Sequence, residues 1–306
     1  MSEISFEDRT VIVTGAGNGL GKAYAIDLGN RGAKVVVNDL GGAVDGSGSG
    51  NTPADEVVNE IISNGGEAVA NYDSVATKDG GESIVQSAID NFGTVDAVIN
   101  NAGILRDKSF AKLSEEELSL VIDVHLKGTF FVSQPAFKVM KEKNYGRIVN
   151  VASPSGLFGN FGQSNYGAAK MGIVGLTNVL AIEGAKYNIK VNVIAPTAYT
   201  RMTEALLPDD VGKLFRPELV SPMVIYLASE ACEPTHEIFG VAAGRFARIG
   251  IITHSGYVNT AATAEDVANN IEEIRNIENG TYPLSNEDEL MTVSYTHLTL
   301  PTTPYV

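Results

Sequence analysis

Tyr166 and Lys170 stand four residues apart in the stretch Tyr166-Gly167-Ala168-Ala169-Lys170. On a helix that spacing brings both side chains out on one face. A phenol is a poor acid or base near neutrality, its ordinary pKa being about 10. A neighbouring ammonium favours the phenolate, and the positive ring of an oxidised nicotinamide favours it further. A tyrosine so placed takes the proton of an alcohol as hydride leaves the adjoining carbon, or returns one to a ketone. Ser153 lies thirteen residues earlier, at the end of a β-branched run, where its hydroxyl can hold the substrate oxygen beside the phenol. These residue types point to alcohol–ketone interconversion, with a tyrosine pKa expected well below that of the free side chain.

Hydride chemistry needs a cofactor site, and the chain begins with one. The run TVIVT (10–14) leads straight into Thr14-Gly15-Ala16-Gly17-Asn18-Gly19-Leu20-Gly21 and then a helical pattern. Glycines let the backbone turn tightly and let a pyrophosphate approach a helix N-terminus, whose free N–H groups and dipole favour negative charge. Gly15, Asn18, Gly19, Leu20 and Gly21 are therefore the expected phosphate contacts. Asp39 follows the second apolar run, KVVVN. A carboxylate there can accept both adenosine ribose hydroxyls and repel a 2′-phosphate, so the expected cofactor is NAD rather than NADP.

Stepping outward from these residues, strand candidates at 10–14, 34–38, 68–71, 95–100, 147–152, 190–195 and 238–242 alternate with helical patterns at 19–30, 53–64, 78–92, 114–140, 165–187 and 217–227. Most of the strands are apolar throughout, as strands covered on both faces should be. The expectation is an α/β fold, a doubly wound parallel sheet of about seven strands (Rossmann-like), in a single domain with a C-terminal tail. Ser114 and Glu117 have capping-box spacing. The glycine- and serine-rich stretch 41–51 reads as a mobile loop. Residues 1–249 form the expected catalytic domain and 250–291 an extension with one acidic helix at 264–277. The stretch 292–306 (TVSYTHLTLPTTPYV) has no periodicity or capping logic and resembles a translated sequencing adapter, so everything after about Met291 is expected to be non-native, with the true C-terminus left open.

With 22 basic and 37 acidic residues, the net charge of −15 disfavours nucleic acid and anionic lipid as partners. The opening MSEISFEDRT lacks the apolar core of a secretory signal, and no apolar run approaches the roughly 18 to 20 residues of a membrane span. Cys232 is the only cysteine, so no internal disulfide can form, which suits a reducing compartment. His236 and His254 show no metal-ligand spacing, and no metal is expected. The patterns at 114–140 and 165–187 are apolar around much of their circumference (Phe130, Phe131, Val132, Ile173, Val174, Leu176), which points to a homodimer.

TGAGNGLG, Asn100-Asn101-Ala102-Gly103 and the Tyr166/Lys170 motif, in that order over about residues 6–245, resemble the short-chain dehydrogenase/reductase family. The resemblance implies that Asp73 and Ser74 meet the adenine, that Asn100 lines the cofactor cleft, and that Tyr166 and Lys170 touch the cofactor as well as acting in catalysis. The family commonly carries an asparagine in a setting like VNLxG. Here the place reads Val124-His125-Leu126-Lys127-Gly128, which makes His125 the candidate proton relay. NDLGG with its insertion, ANYDSV, NNAGILRDKSF, DVHLKGTF, GNFGQSNY and APTAYTRMTE are similar to the (3R)-hydroxyacyl-CoA dehydrogenase subgroup found in peroxisomal multifunctional enzymes. That likeness implies an acyl-CoA substrate oxidised at Ser153 and Tyr166, and a hydratase domain that follows in such enzymes and is not encoded here. It further implies a cytoplasmic location in a bacterium or a peroxisomal one in a eukaryote. A 3-oxoacyl thioester reductase or hydroxysteroid dehydrogenase of the same family, or a non-catalytic dinucleotide-binding protein, are the alternatives. The variable substrate loop would be 196–215, with Arg201 offered to a CoA phosphate.

Overall fold

The computed structural model describes residues 3–204 and 212–291; the tail at 292–306 and part of the 196–215 loop lie outside the described residues. The elements run β1 (Thr10–Thr14), α1 (Gly19–Asn30), β2 (Lys34–Asn38), α2 (Thr52–Ser63), β3 (Glu67–Asn71), α3 (Lys78–Phe92) and β4 (Ala97–Asn100). They continue through α4 (Glu115–Ile122), α5 (Gly128–Glu142), β5 (Gly146–Val151), α6 (Pro154–Phe158), α7 (Ser164–Gly184) and β6 (Ile189–Thr197). Then follow α8 (Ser221–Ala228), β7 (Ile238–Ala242), β8 (Arg245–Ile249), α9 (Ala264–Asn269) and α10 (Ile271–Arg275).

Strand side chains alternate between faces, and here each face finds its own core. Val11, Val13, Val35 and Val37 pack with Tyr24, Leu28, Ile61 and Val224 from α1, α2 and α8. Ile12 and Val36 point the other way, to Ile84, Val132, Met140 and Ala181 of α3, α5 and α7. The sheet order is β3-β2-β1-β4-β5-β6-β7-β8, parallel from β3 through β7. The edge strand β8 is additional to the seven expected. The order reverses between β1 and β4, and in a doubly wound sheet the crevice at such a reversal, beyond the strand C-termini, is where ligands bind.

The expected capping box is present: Ser114 Oγ accepts from Glu117 N at 3.2 Å, and Glu117 Oε2 accepts from Ser114 N at 3.0 Å. The helix expected over 114–140 does not run straight. Asp123–Lys127 forms a π turn between α4 and α5, with Gly128 N bonding back to Asp123 O, five residues away. Such wide turns are rare and gather at functional sites. The single helix expected at 264–277 is two, divided at Asn270.

The apolar surface also differs in detail from expectation. Val132, Ile173 and Val174 are buried within the subunit, so they cannot form a seam. The exposed apolar residues of α5 and α7 are Phe130 (46%), Met171 (40%), Val179 (52%) and Ile182 (55%). Among the described residues, no helix is long and apolar enough to cross a membrane. Contacts divide the chain after Arg248. In the second unit Thr253 and Thr281 exchange backbone hydrogen bonds of 3.0 and 2.7 Å, and Thr263 and Asp266 form a capping box ahead of α9.

Candidate active site

Two lobes of about 260 and 240 Å³ open at the strand C-termini and share Leu20, Asn101, Gly103, Thr200 and Met202 as lining. The larger lobe is built on the glycine loop. Gly15 (φ +62°) and Gly19 (φ +53°) take left-handed backbone conformations, and a Cβ on Gly15 would lie 2.7 Å from the Ala102 Cα. The twelve-residue helix α1 starts there. Its N-cap, Asn18, makes no side-chain capping bond, and no acid occupies the first turn. Its leading N–H groups and dipole are thus left available to an anion. Gly21 serves differently: its Cβ would fall 2.1 Å from Gly15 O, so it permits the close approach of helix and loop and does not line the cleft.

Asp39 lines the same lobe, with Oδ2 accepting from Gly17 N and Oδ1 from Gly41 N, each at 2.7 Å. Each oxygen retains a second lone pair for a ribose hydroxyl. Asp73 and Ser74 line the lobe too. Asp73 Oδ2 accepts from Asn71 Nδ2 (2.8 Å) and Ser83 Oγ (2.7 Å), and Ser74 Oγ accepts from Ala76 N (3.2 Å). A helix N-terminus without a capping side chain, beside a glycine cradle and a carboxylate with lone pairs to spare, fits a dinucleotide.

Asn100, expected in the cleft, is instead buried beneath it. Its Nδ2 donates to Asn150 Oδ1 (2.8 Å) and Ser133 Oγ (2.9 Å). The neighbouring Asn101 takes the cleft position, its Nδ2 donating to Thr14 O and Gly15 O at 3.0 Å each. Of the two adjacent asparagines, Asn101 lines the cleft and Asn100 does not. As the last residue of β4, paired with Asn150 of β5, Asn100 must point to a sheet face. Arg201 lines the cofactor lobe, not the other one.

Ser153, Tyr166, Lys170 and His125 meet in the second lobe. Ser153 is the N-cap of α6, its Oγ accepting from Ser155 N at 3.2 Å. Tyr166 and Lys170 lie in the first two turns of α7, with Lys170 Nζ 5.6 Å from the Tyr166 ring centroid and donating to Val151 O at 2.6 Å. Burial pushes the Lys170 ammonium down to about 7. Burial also raises Tyr166, opposed by its hydrogen bond with Ser153 and reinforced by Asp107. Without a bound cofactor the phenol thus lies above its ordinary value, because desolvation outweighs the Ser153 hydrogen bond.

His125 sits in the π turn, buried, and meets the Tyr166 ring edge-on with centroids 5.1 Å apart and planes at 87°. Its Nε2 contacts both Ile104 N (3.0 Å) and Ile104 O (2.8 Å), while Nδ1 has no partner. Burial, with the charge of Lys170 adding to it, holds the imidazole pKa well below its ordinary value, so the ring is neutral. Gly103 abuts it so closely that a Cβ there would lie 2.3 Å from the His125 Cε1.

This fold and cleft define a dehydrogenase, and the chain belongs to the short chain dehydrogenase family, whose pattern matches residues 9–210. It is an oxidoreductase of a family whose members generally use NAD or NADP. More particularly, it is 55% identical over 255 residues to the peroxisomal hydratase-dehydrogenase-epimerase of Saccharomyces cerevisiae, covering 83% of this chain and 28% of that protein. It is 53% identical over 250 residues to a putative short-chain type dehydrogenase/reductase of Mycobacterium tuberculosis, covering 82% of this chain and 87% of that one. The solved full-length peroxisomal multifunctional enzyme type 2 of Drosophila melanogaster superposes with a TM-score of 0.81 at 39% identity, over 95% of this chain and 50% of that one. The chain thus spans under a third of the yeast relative and half of the fly enzyme.

Proposed function

We propose that the chain oxidises a (3R)-3-hydroxyacyl-CoA to the 3-oxoacyl-CoA with NAD, using Tyr166 as proton acceptor. One observation carries the reading: Ser153, Tyr166 and Lys170 converge in a lobe continuous with the one that holds the glycine loop and Asp39. Its substrate class rests on the likeness to peroxisomal multifunctional and hydratase-dehydrogenase-epimerase enzymes.

Gly15, Asn18, Gly19 and Leu20 would hold the pyrophosphate, Asp39 the adenosine ribose, and Asp73 and Ser74 the adenine. A nicotinamide held there supplies the hydride acceptor. Ser153 Oγ orients the substrate hydroxyl toward Tyr166 Oη, which takes the hydroxyl proton as the carbonyl forms. Lys170, fixed on Val151 O, stands under the phenol ring and stabilises the phenolate when protonated. His125 Nε2 is committed to Ile104, which favours a supporting role over that of proton relay. A homodimer formed through α5 and α7, and a hydratase partner domain in the longer form of the enzyme, complete the reading. The location proposed is the cytoplasm of a bacterium or the peroxisome of a eukaryote.

The test is turnover of each enantiomer of a 3-hydroxyacyl-CoA, with NAD and with NADP, by the purified protein. The 3R substrate with NAD should be the efficient pair. A preference for the 3S enantiomer, for NADP, or for a hydroxysteroid over either thioester would overturn the reading.

A further inference from the structure

The glycine- and serine-rich insertion at 41–51, which reads as a free loop in the sequence, is folded. Its neck is closed by Gly50 N donating to Leu40 O at 2.9 Å, and a Cβ on Gly41 would lie 1.8 Å from Gly50 O. Inside it, Ala43 N donates to Ser47 O (2.8 Å), and Asp45 Oδ1 accepts from Ser47 N (2.9 Å) and Ser47 Oγ (2.7 Å). Val44 and Gly46 line the cofactor lobe.

From this lobe the insertion reaches residues 104–108, which follow the asparagine pair. Val44 O accepts from Leu105 N at 2.9 Å, and Asp45 O accepts from Arg106 Nε. Gly46 presses on Ile104, whose Cδ1 would be 3.1 Å from an added Cβ. The other edge of the same strip is tied to the catalytic lobe. Ile104 N and O meet His125 Nε2, and the His125 ring meets Tyr166. Arg106 O accepts from Asn165 Nδ2 (3.0 Å), and Asn165 Oδ1 accepts from Tyr166 N (2.8 Å). Asp107 Oδ2 accepts from Gln163 Nε2, and Lys108 N donates to Gly162 O, each at 2.8 Å.

We infer that the insertion and the strip 104–108 are positioning elements for Tyr166, acting on its ring through His125 and on its backbone through Asn165. The inference rests on the reading of Tyr166 as proton acceptor. None of these residues needs to touch the reacting atoms. Each fixes where the phenol stands, and the strip is fixed in turn by a segment that walls the cofactor lobe. A ligand seated against Val44 and Gly46 therefore bears on the same backbone that aims the tyrosine.

Spatial continuity alone does not establish coupling, so the test is a double-mutant cycle. One arm shortens the insertion by replacing 43–48 with two glycines, which keeps the neck. A milder arm, Gly46→Ala, sets a methyl against Ile104 at φ +85°. The other arm is His125→Ala. Each single change should lower kcat about 10- to 100-fold, the cost of a misplaced group, while moving substrate KM little. In the His125→Ala background, shortening the insertion should lose at least half of its effect on log kcat. Fully additive effects, or equal losses in kcat and in NADH affinity, would overturn the inference. Tyr166→Phe keeps the two readings apart. If that variant stays active, the proton-acceptor reading falls. If it is inactive while the cycle is additive, only the positioning role falls.

Discussion

Asp39 Oδ2 accepts a hydrogen bond from the Gly17 amide at 2.7 Å, so the acid proposed to hold the ribose also braces the glycine loop proposed to hold the pyrophosphate. Its other oxygen holds Gly41 N in the same way. Asp39→Ala should therefore both narrow the preference for NAD over NADP and loosen the loop. Hydrogen bonds to a charged group are worth about 1.5–3 kcal/mol each, so NADH should bind about 10- to 100-fold more weakly, with little gain for NADPH. Titration of the intrinsic fluorescence of the two reduced cofactors reads both effects. Unchanged NADH affinity would mean that Asp39 does neither job.

Tyr166→Phe keeps the ring against His125 and removes only the hydroxyl. Turnover should fall about 100- to 10,000-fold, the usual contribution of a general acid or base, with NADH affinity nearly unchanged. Because burial raises this phenol, the ligand-free protein should show no Tyr166 phenolate step below the ordinary tyrosine range. Adding oxidised cofactor should move the step downward, since a positive ring favours the phenolate. The ultraviolet pH difference between wild type and Tyr166→Phe, with and without NAD, isolates that group. A step near neutrality without cofactor would contradict the burial argument.

Lys170 makes a separate prediction about stability. Its pKa is held down to about 7 in the fold, against an ordinary value of 10.5. Between those values the unfolded chain binds a proton that the folded one has shed. The stability of the ligand-free protein should therefore gain from this group as pH rises from about 7 toward 10.5, and below about 7 the full cost of burying the ammonium is present. Urea melts across that window should show the slope in wild type and its loss in Lys170→Met. The same variant should lose turnover and bind NADH more weakly. Equal slopes for both proteins would place the ammonium in contact with solvent.

Much of this arrangement was legible in the sequence, for identifiable reasons. Buried parallel strands and the glycine loop leave strong local signatures, and Tyr166 and Lys170 share a helix, so spacing alone brings them together. The rise that burial imposes on Tyr166 in the cofactor-free protein was not legible, because burial is not a function of spacing. The insertion misled through composition: Gly41 and Gly46, which suggest a linker, use φ values of +74° and +85° to fold it closed. Asn165, Gln163 and Asp107 carried no signal of their own, because their partners are distant in the chain and are fixed only by the tertiary fold.

The apolar residues exposed on α5 and α7 lead to a prediction about assembly. Val179→Asp combined with Ile182→Asp should convert a dimer to monomer in sedimentation at micromolar concentration while leaving the buried Ile173 and Val174 packing intact. A wild-type protein that sediments only as monomer would remove the basis for this seam.

The π turn at Asp123–Lys127 bears on how this site could be transplanted. A helix advances by about 100° per residue, so one extra residue in a turn rotates everything beyond it by that amount relative to a regular helix. A designer who copied Val124-His125-Leu126 onto a straight α-helix would keep every letter and still change how the two helices flanking His125 are turned against each other. The motif is portable only together with its irregularity, and deleting one residue from 123–127 amounts to rotating one half of the helix against the other.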